Sequence, residues 1–244
     1  MKKIILILYL ISLVYTGFTQ EKNKGISLSL KTGITFANMY GPDVDSETFL
    51  NGSGPENFYA NHPASSIFKA GFNIGLLADY RINKYLSLGI GGSYIQKGAK
   101  INATKHWISD AQTYEDVEGN IYWNQNFWTV EFPLTVYLPL KKDDIYFQGG
   151  LFTGFLINSK EEGNITMSQK DYKYVNDRRA NKNESGFFLA AGFINSFPKI
   201  KGKLFIEINW SRSIKKSPGS DMIPNPQYYH NQTISLNLGY RYNI

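Results

Sequence analysis

Three histidines, His62, His106 and His230, are the side chains best suited to move protons or hold a metal. No two stand three or four residues apart, so no local metal-binding pair is written. The chain has no cysteine, which excludes thiolate nucleophiles, thiolate metal sites and a disulfide framework. The Gly-x-Ser-x-Gly elbow of serine hydrolases is absent. Gly52-Ser53-Gly54 is read as a flexible turn. Gly149-Gly150-Leu151-Phe152-Thr153-Gly154 resembles a phosphate loop only superficially, because the required Lys and helix do not follow. The histidines are therefore read as surface-loop residues. No catalytic, cofactor-binding or metal-binding residue is assigned, no cofactor is expected, and the chain is expected not to be an enzyme. The enzymatic alternative is a lipid-modifying acyltransferase or lipase, using one of these histidines with an Asp or Ser of an outer loop.

The charges that do fall into a pattern are Lys31, Lys69, Asp79, Arg81, Glu131, Glu207 and Arg241. Each lies in a stretch where polar and apolar residues alternate, the mark of a strand with one polar side. Eight such stretches are legible, at about 26–39, 67–81, 85–97, 128–138, 145–158, 185–197, 203–213 and 230–244. Between them, four long connections alternate with three short ones. The long ones are near 41–66, 98–126, 159–184 and 214–229, and the short turns are at 82–84, 141–144 and 198–202. The third long connection carries six basic and five acidic residues, which suits polar contacts or a solvated surface. An even number of strands with short turns at one end and long loops at the other is the pattern of an up-and-down membrane barrel.

The first residues belong to delivery rather than fold. Lys2 and Lys3 precede an apolar run over residues 4–14, and Gly17 and Thr19 are spaced like the small residues of a cleavage site. Residues 1–19 are thus expected to be a signal peptide, and residues 20–244 the barrel domain. Removing Lys2 and Lys3 leaves 24 basic and 20 acidic residues, a net charge of +4. The basic residues are scattered, so nucleic acid is not an expected partner. Past the signal, no run approaches the ~20 apolar residues of a membrane helix. Yet the chain holds 17 Tyr, 16 Phe, 4 Trp and 22 Gly, a composition that suits strands crossing lipid.

Facing separates a membrane barrel from a soluble one. On the second, fourth, seventh and eighth stretches one face is almost wholly apolar, while the other carries the charges. A charge facing lipid at the midplane costs about 2–4 kcal/mol, so the polar face must point inward. The seven charges are then expected to form an interior network. Eight strands leave room for side chains to fill the lumen, so the network is expected to close the barrel, with a narrow ion path as the alternative. The facing of the fifth and sixth stretches is ambiguous. Pro133, inside the fourth, cannot donate to a ladder and predicts a local bulge.

Several short segments carry a family resemblance. Lys31-Thr32-Gly33-Ile34-Thr35-Phe36-Ala37-Asn38-Met39 resembles the first strand of the PorT-like outer-membrane β-barrel proteins of Bacteroidota. Tyr94-Ile95-Gln96-Lys97-Gly98, Glu131-Phe132-Pro133-Leu134 and Leu238-Gly239-Tyr240-Arg241-Tyr242 resemble later parts of the same family, which also tends to carry proline at the position of Pro133. The resemblance runs through the mature chain in order. It implies an all-β, eight-stranded antiparallel transmembrane barrel of OmpA/OmpX-like topology in the outer membrane of a Gram-negative bacterium. It implies no particular activity. With both mature termini periplasmic, the long loops would be extracellular. Expected partners are outer-membrane lipid and lipopolysaccharide, with a protein or glycan at the loops. An accessory role in secretion is a further alternative.

Overall fold

The computed structural model describes residues 25–54, 57–140, 143–196, 201–215, 217–218 and 228–244. The signal peptide expected over residues 1–19 lies outside them. Among the described residues twelve strands run in chain order: β1 (Gly25–Tyr40), β2 (Glu47–Asn51), β3 (Tyr59–Ala60), β4 (Lys69–Arg81), β5 (Leu86–Ile108), β6 (Thr113–Pro139), β7 (Asp143–Met167), β8 (Lys170–Asp177), β9 (Asn183–Ser196), β10 (Lys203–Ser213), β11 (Ser217–Pro218) and β12 (Tyr228–Asn243). Eight of them form a closed ring of antiparallel pairs. β1 pairs with β4, β4 with β5, β5 with β6 and β6 with β7. β7 then pairs with β9, β9 with β10, β10 with β12, and β12 returns to β1. Closure pairs backbone groups on both sides of every wall strand, which a spanning sheet needs because lipid offers no hydrogen bonds. This is the eight-stranded antiparallel barrel that the rhythm of connections predicts.

The wall is apolar outside and polar inside. On β1, Ile26, Leu28, Leu30, Ile34 and Phe36 are exposed, whereas Ser27, Ser29, Lys31 and Thr35 are buried. On β12, Leu236, Leu238 and Tyr242 face out, and Ser235, Asn237 and Arg241 face in. The two ambiguous strands resolve the same way. β7 turns Asp144, Tyr146, Gln148 and Phe152 inward, and β9 turns Glu184, Phe188, Ala190 and Ile194 inward. Phenylalanines on the inner face blurred the alternation in the sequence.

Pro133 does not produce the expected bulge. It pairs with Gly150 of β7, and the register with β5 is the same on either side of it. Near Pro133 the pairs opposite Gly89 and Ile90 drop out of the β5–β6 ladder, whose one register shift falls far above, between Ala103 and Lys105. Gly89 is what makes room: a Cβ there would sit 3.0 Å from the Pro133 ring.

The long connections depart from their expected character as loops. The second is almost entirely strand, since β5 and β6 continue as a hairpin joined by residues 109–112. In the third, β7 runs on to Met167 and β8 folds back along it. The first carries β2, which lies parallel to the upper part of β5, and β3, which pairs with β2. The fourth is described only at its ends. Where β7 leaves the wall, its register against β6 slips between Asn126 and Phe127, placing an extra residue, Ile157, in β7. The inner face of β7 thereby passes from even to odd positions, so Ser159, Glu161 and Ile165 are buried above the slip.

Candidate functional site

The barrel interior is filled in tiers. At the short-turn end Tyr137, Tyr146, Ile194 and Phe205 pack together as an aromatic plug. Arg241 sits against it. Its Nη1 donates to the Tyr137 hydroxyl at 2.7 Å, its Nη2 to Asp79 at 3.0 Å and its Nε to Ser29 at 3.0 Å. Above this, Lys31 donates to Glu131 at 3.0 Å and lies 3.8 Å from Glu207. Glu207 also accepts from the Tyr146 hydroxyl at 2.9 Å and from Asn237 at 3.0 Å. Asn237 in turn accepts from Asn73 at 2.9 Å. Such convergence is what a buried carboxylate requires, because an unpaired charge out of water is far costlier than a paired one.

Towards the long-loop end, Lys97 pairs with Glu184, and both are buried. Glu184 also accepts from Asn231 at 3.1 Å, Asn231 donates to Gln125 at 3.0 Å, and Gln125 donates to Tyr229 at 2.9 Å. Met39, Ala64, Ala99, Trp123 and Tyr229 form an apolar layer above, with the Trp123 indole donating to Ser159 at 2.7 Å. Between the plug and this apolar layer the mid-lumen cavity measures about 20 Å³. That is room for about one water.

Five of the seven charges predicted to meet inside, Lys31, Asp79, Glu131, Glu207 and Arg241, lie in this connected set. Arg81 does not join it. It stands at the short-turn mouth, 3.7 Å from Asp144, with its guanidinium 4.1 Å above the Tyr137 ring. Lys69 is buried at the opposite end of its strand, opposite Ala37, apart from this set, with Glu162 as its charged neighbour. The Lys97–Glu184 pair escaped the sequence-based prediction. Both positions share the inward parity of their strands, but Lys97 is the last residue of its expected strand and Glu184 the last residue of a stretch taken for loop. Parity puts Tyr137 on the inner face, but neither its hydroxyl nor that of Tyr146 was counted in the expected charge network, because a phenol carries no charge to mark it.

The long connections build a folded headpiece on the barrel. Leu50, Phe58, Ala60, Ile101, Ala103, Val117, Ile121, Ile165 and Tyr174 form its buried apolar core, drawn from strands β2, β3, β5, β6, β7 and β8 and from Phe58. One buried polar latch ties it together. Glu161 of β7 accepts from the Ala60 amide at 2.6 Å, the Tyr174 hydroxyl at 2.8 Å and Arg178 at 2.9 Å. Burial pushes the Glu161 carboxyl above its ordinary range, against the opposing pull of Arg178 and the other two donors. Burial and the neighbouring carboxylate push the Tyr174 hydroxyl up, so it stays protonated as a donor. Tyr174 lies flat across Gly163, where even a methyl group would meet its ring at 2.0 Å.

The histidines have three separate sets of neighbours. His106 is buried, 2.9 Å from the Gly52 carbonyl and edge-on to Phe58. His62 lies 2.7 Å from the Asn61 amide, beside Phe49. His230 stacks on Tyr40 with ring centres 4.9 Å apart. Phe49 also meets Tyr114 edge-on, and Tyr114 packs against Trp107, forming an aromatic cluster near the hairpin tip with Lys105 at 5.9 Å from Tyr114.

The fold is similar to several outer-membrane barrels of low sequence identity. Neisserial surface protein A matches with 10% identity and a TM-score of 0.41, over 90% of this chain and 99% of that one. OprG from Pseudomonas aeruginosa matches with 8% identity and a TM-score of 0.44, over 91% and 98%. Ail, the attachment invasion locus protein of Yersinia pestis, matches with 14% identity and a TM-score of 0.34, over 90% and 99%. No curated protein sequence matches the chain. The family model described as outer membrane protein beta-barrel domain matches residues 18–217. An apolar outer wall, a polar filled lumen and that match agree, and the chain belongs to the outer membrane protein beta-barrel family.

Proposed function

We propose that this protein is a non-enzymatic outer-membrane barrel whose lumen is closed and whose headpiece is its working surface. The observation that carries this is the headpiece itself. The β5–β6 and β7–β8 hairpins continue past the lipid-facing band and enclose an apolar core with β2 and β3. Ordering so many residues costs backbone entropy of about 1–2 kcal/mol each, and surface loops that only connect strands need not be built this way. The exposed face of the headpiece carries Tyr114, with Phe49 and Trp107 beside it. Aromatic side chains of this kind are enriched where proteins bind partners.

In this scheme residues 1–19 direct export and are removed, both mature termini are periplasmic, and the headpiece is extracellular on a Gram-negative cell. The segments that resemble the PorT-like proteins support placing the chain in that Bacteroidota branch. Lipopolysaccharide would surround the wall, and a protein or glycan would be held by the headpiece.

The test replaces residues 102–119 and 160–180 with short turns, keeping the barrel. The trimmed barrel is expected to insert and resist heat, while binding of surface partners or envelope integrity is lost. Retention of every surface phenotype by the trimmed barrel would overturn the proposal. Planar-bilayer recording of the intact protein is expected to show no steady conductance.

A further inference from the structure

We infer that the vestibule at the short-turn end is a receptor for a small oxyanion, a phosphate or carboxylate group. The vestibule measures about 280 Å³ and is lined by Arg81, Lys203, Arg241, Asp144, Tyr137 and Asn243, among others. It is a blind pocket rather than a channel mouth, because Tyr137 belongs to the aromatic plug. Among the described residues, three cationic side chains and one acidic side chain, Asp144, line this recess.

The pairing among them is incomplete. Arg241 is committed to Asp79 and to the Tyr137 hydroxyl. Arg81 and Lys203 must share Asp144, at 3.7 Å and 3.5 Å from the same carboxylate oxygen. Charge-assisted bonds close to about 2.7–2.9 Å when both partners are satisfied, so neither contact is tight. Arg81 is otherwise held from two sides. Its Nη2 donates to the Lys84 carbonyl at 2.9 Å, and its guanidinium lies on the Tyr137 ring. Its Nε is buried and has no acceptor among the described residues. A planar guanidinium and an ammonium group, both held loosely by one carboxylate oxygen, form an arrangement that takes up a forked oxyanion. A small anion between Arg81 and Lys203 would complete the pairing that Asp144 only half provides.

The site lies at the opposite end from the headpiece, so it stands whether or not the headpiece binds a partner. Folded protein in zwitterionic detergent would be titrated calorimetrically with inorganic phosphate and, separately, with succinate. One-site saturable binding of at least one is expected, and the anion that binds identifies the class. Arg81→Gln and Lys203→Gln are each expected to weaken it at least about tenfold, the scale of one lost charge-assisted bond. Asp144→Asn removes the competing carboxylate and is expected to tighten binding several-fold, a gain that misfolding cannot imitate. Lys160→Gln on the headpiece is expected to change nothing. The proposal is overturned if neither anion binds saturably, if the Arg81 and Lys203 variants bind as the parent does, or if Asp144→Asn weakens binding.

Discussion

Within the lipid-facing band the molecule is inside out, and in the headpiece it is not. The barrel hides Lys31, Asp79, Glu207 and Arg241 and exposes Leu, Ile and Phe. The headpiece hides Leu50, Phe58, Ile101 and Ile121. Three strands, β5, β6 and β7, run through both regions without a break. The same backbone thus serves two opposite patterns, and what changes between them is the solvent outside. Against lipid, an apolar exterior is neutral and the polar groups must satisfy one another inside. Against water, burying apolar surface is the favourable term.

The comparison can be broken first from the barrel side. Lys31→Met leaves Glu131 and Glu207 facing each other without their shared cation. Stranding a buried charge costs about 3–5 kcal/mol, and global unfolding in urea from micelles should register it. Adding Glu131→Gln to that variant should recover part of the loss. From the other side, Phe58→Ala opens the headpiece core and should cost about 3–5 kcal/mol there. The loss should stay in the headpiece. Proteolysis and hydrogen exchange should rise in β2, β3 and β8 while the heat resistance of the barrel is kept.

A matched pair of surface substitutions sharpens the contrast. Leu76 on the barrel wall and Val175 on the headpiece are exposed alike, at 64% and 61%. Leu76→Arg should cost about 2–4 kcal/mol because the charge enters lipid. Val175→Arg should cost under about 0.5 kcal/mol because it enters water. Equal costs in reversible unfolding would mean that the two faces meet the same solvent.

The smallest effect expected is a pH dependence of the latch. Burial holds the Glu161 carboxyl above its unfolded value. A group raised in this way binds more protons folded than unfolded, so stability falls as pH rises between the two values. Its contribution is full below the ordinary carboxylate pKa and is lost as pH climbs through the raised one. Protection of the Ala60 amide against exchange, corrected for intrinsic rate, should be greater at the acid end of that window. Glu161→Gln should abolish the slope, and protection that grows with pH would contradict the assignment.

The alternation of residues determined much by itself. It specified eight wall strands, their order, and the inward face of those carrying Lys31, Asp79, Glu131, Glu207 and Arg241, because a charge at a fixed parity in a lipid-facing wall has only one tolerable side. It could not face β7 and β9, where Phe152 and Phe188 point inward among glycines, so size matching inside the lumen replaced polarity as the rule. It also could not show the headpiece. Past Gly98 on β5 and past Asn158 on β7 the polar content rises as it does in loops, and periodicity alone cannot tell a solvated strand from a connection. Only the tertiary structure brought Leu50 and Phe58 against Ile101, Ile121 and Tyr174. That core is assembled from segments spread between Leu50 and Tyr174, each too short in apolar sequence to announce a fold alone. The partners within the lumen were likewise decided in three dimensions. Parity fixes which charges point inward, but which cation meets which carboxylate depends on stagger around the closed ring. For that reason Arg81 stands at the vestibule with Asp144, and Lys97 meets Glu184.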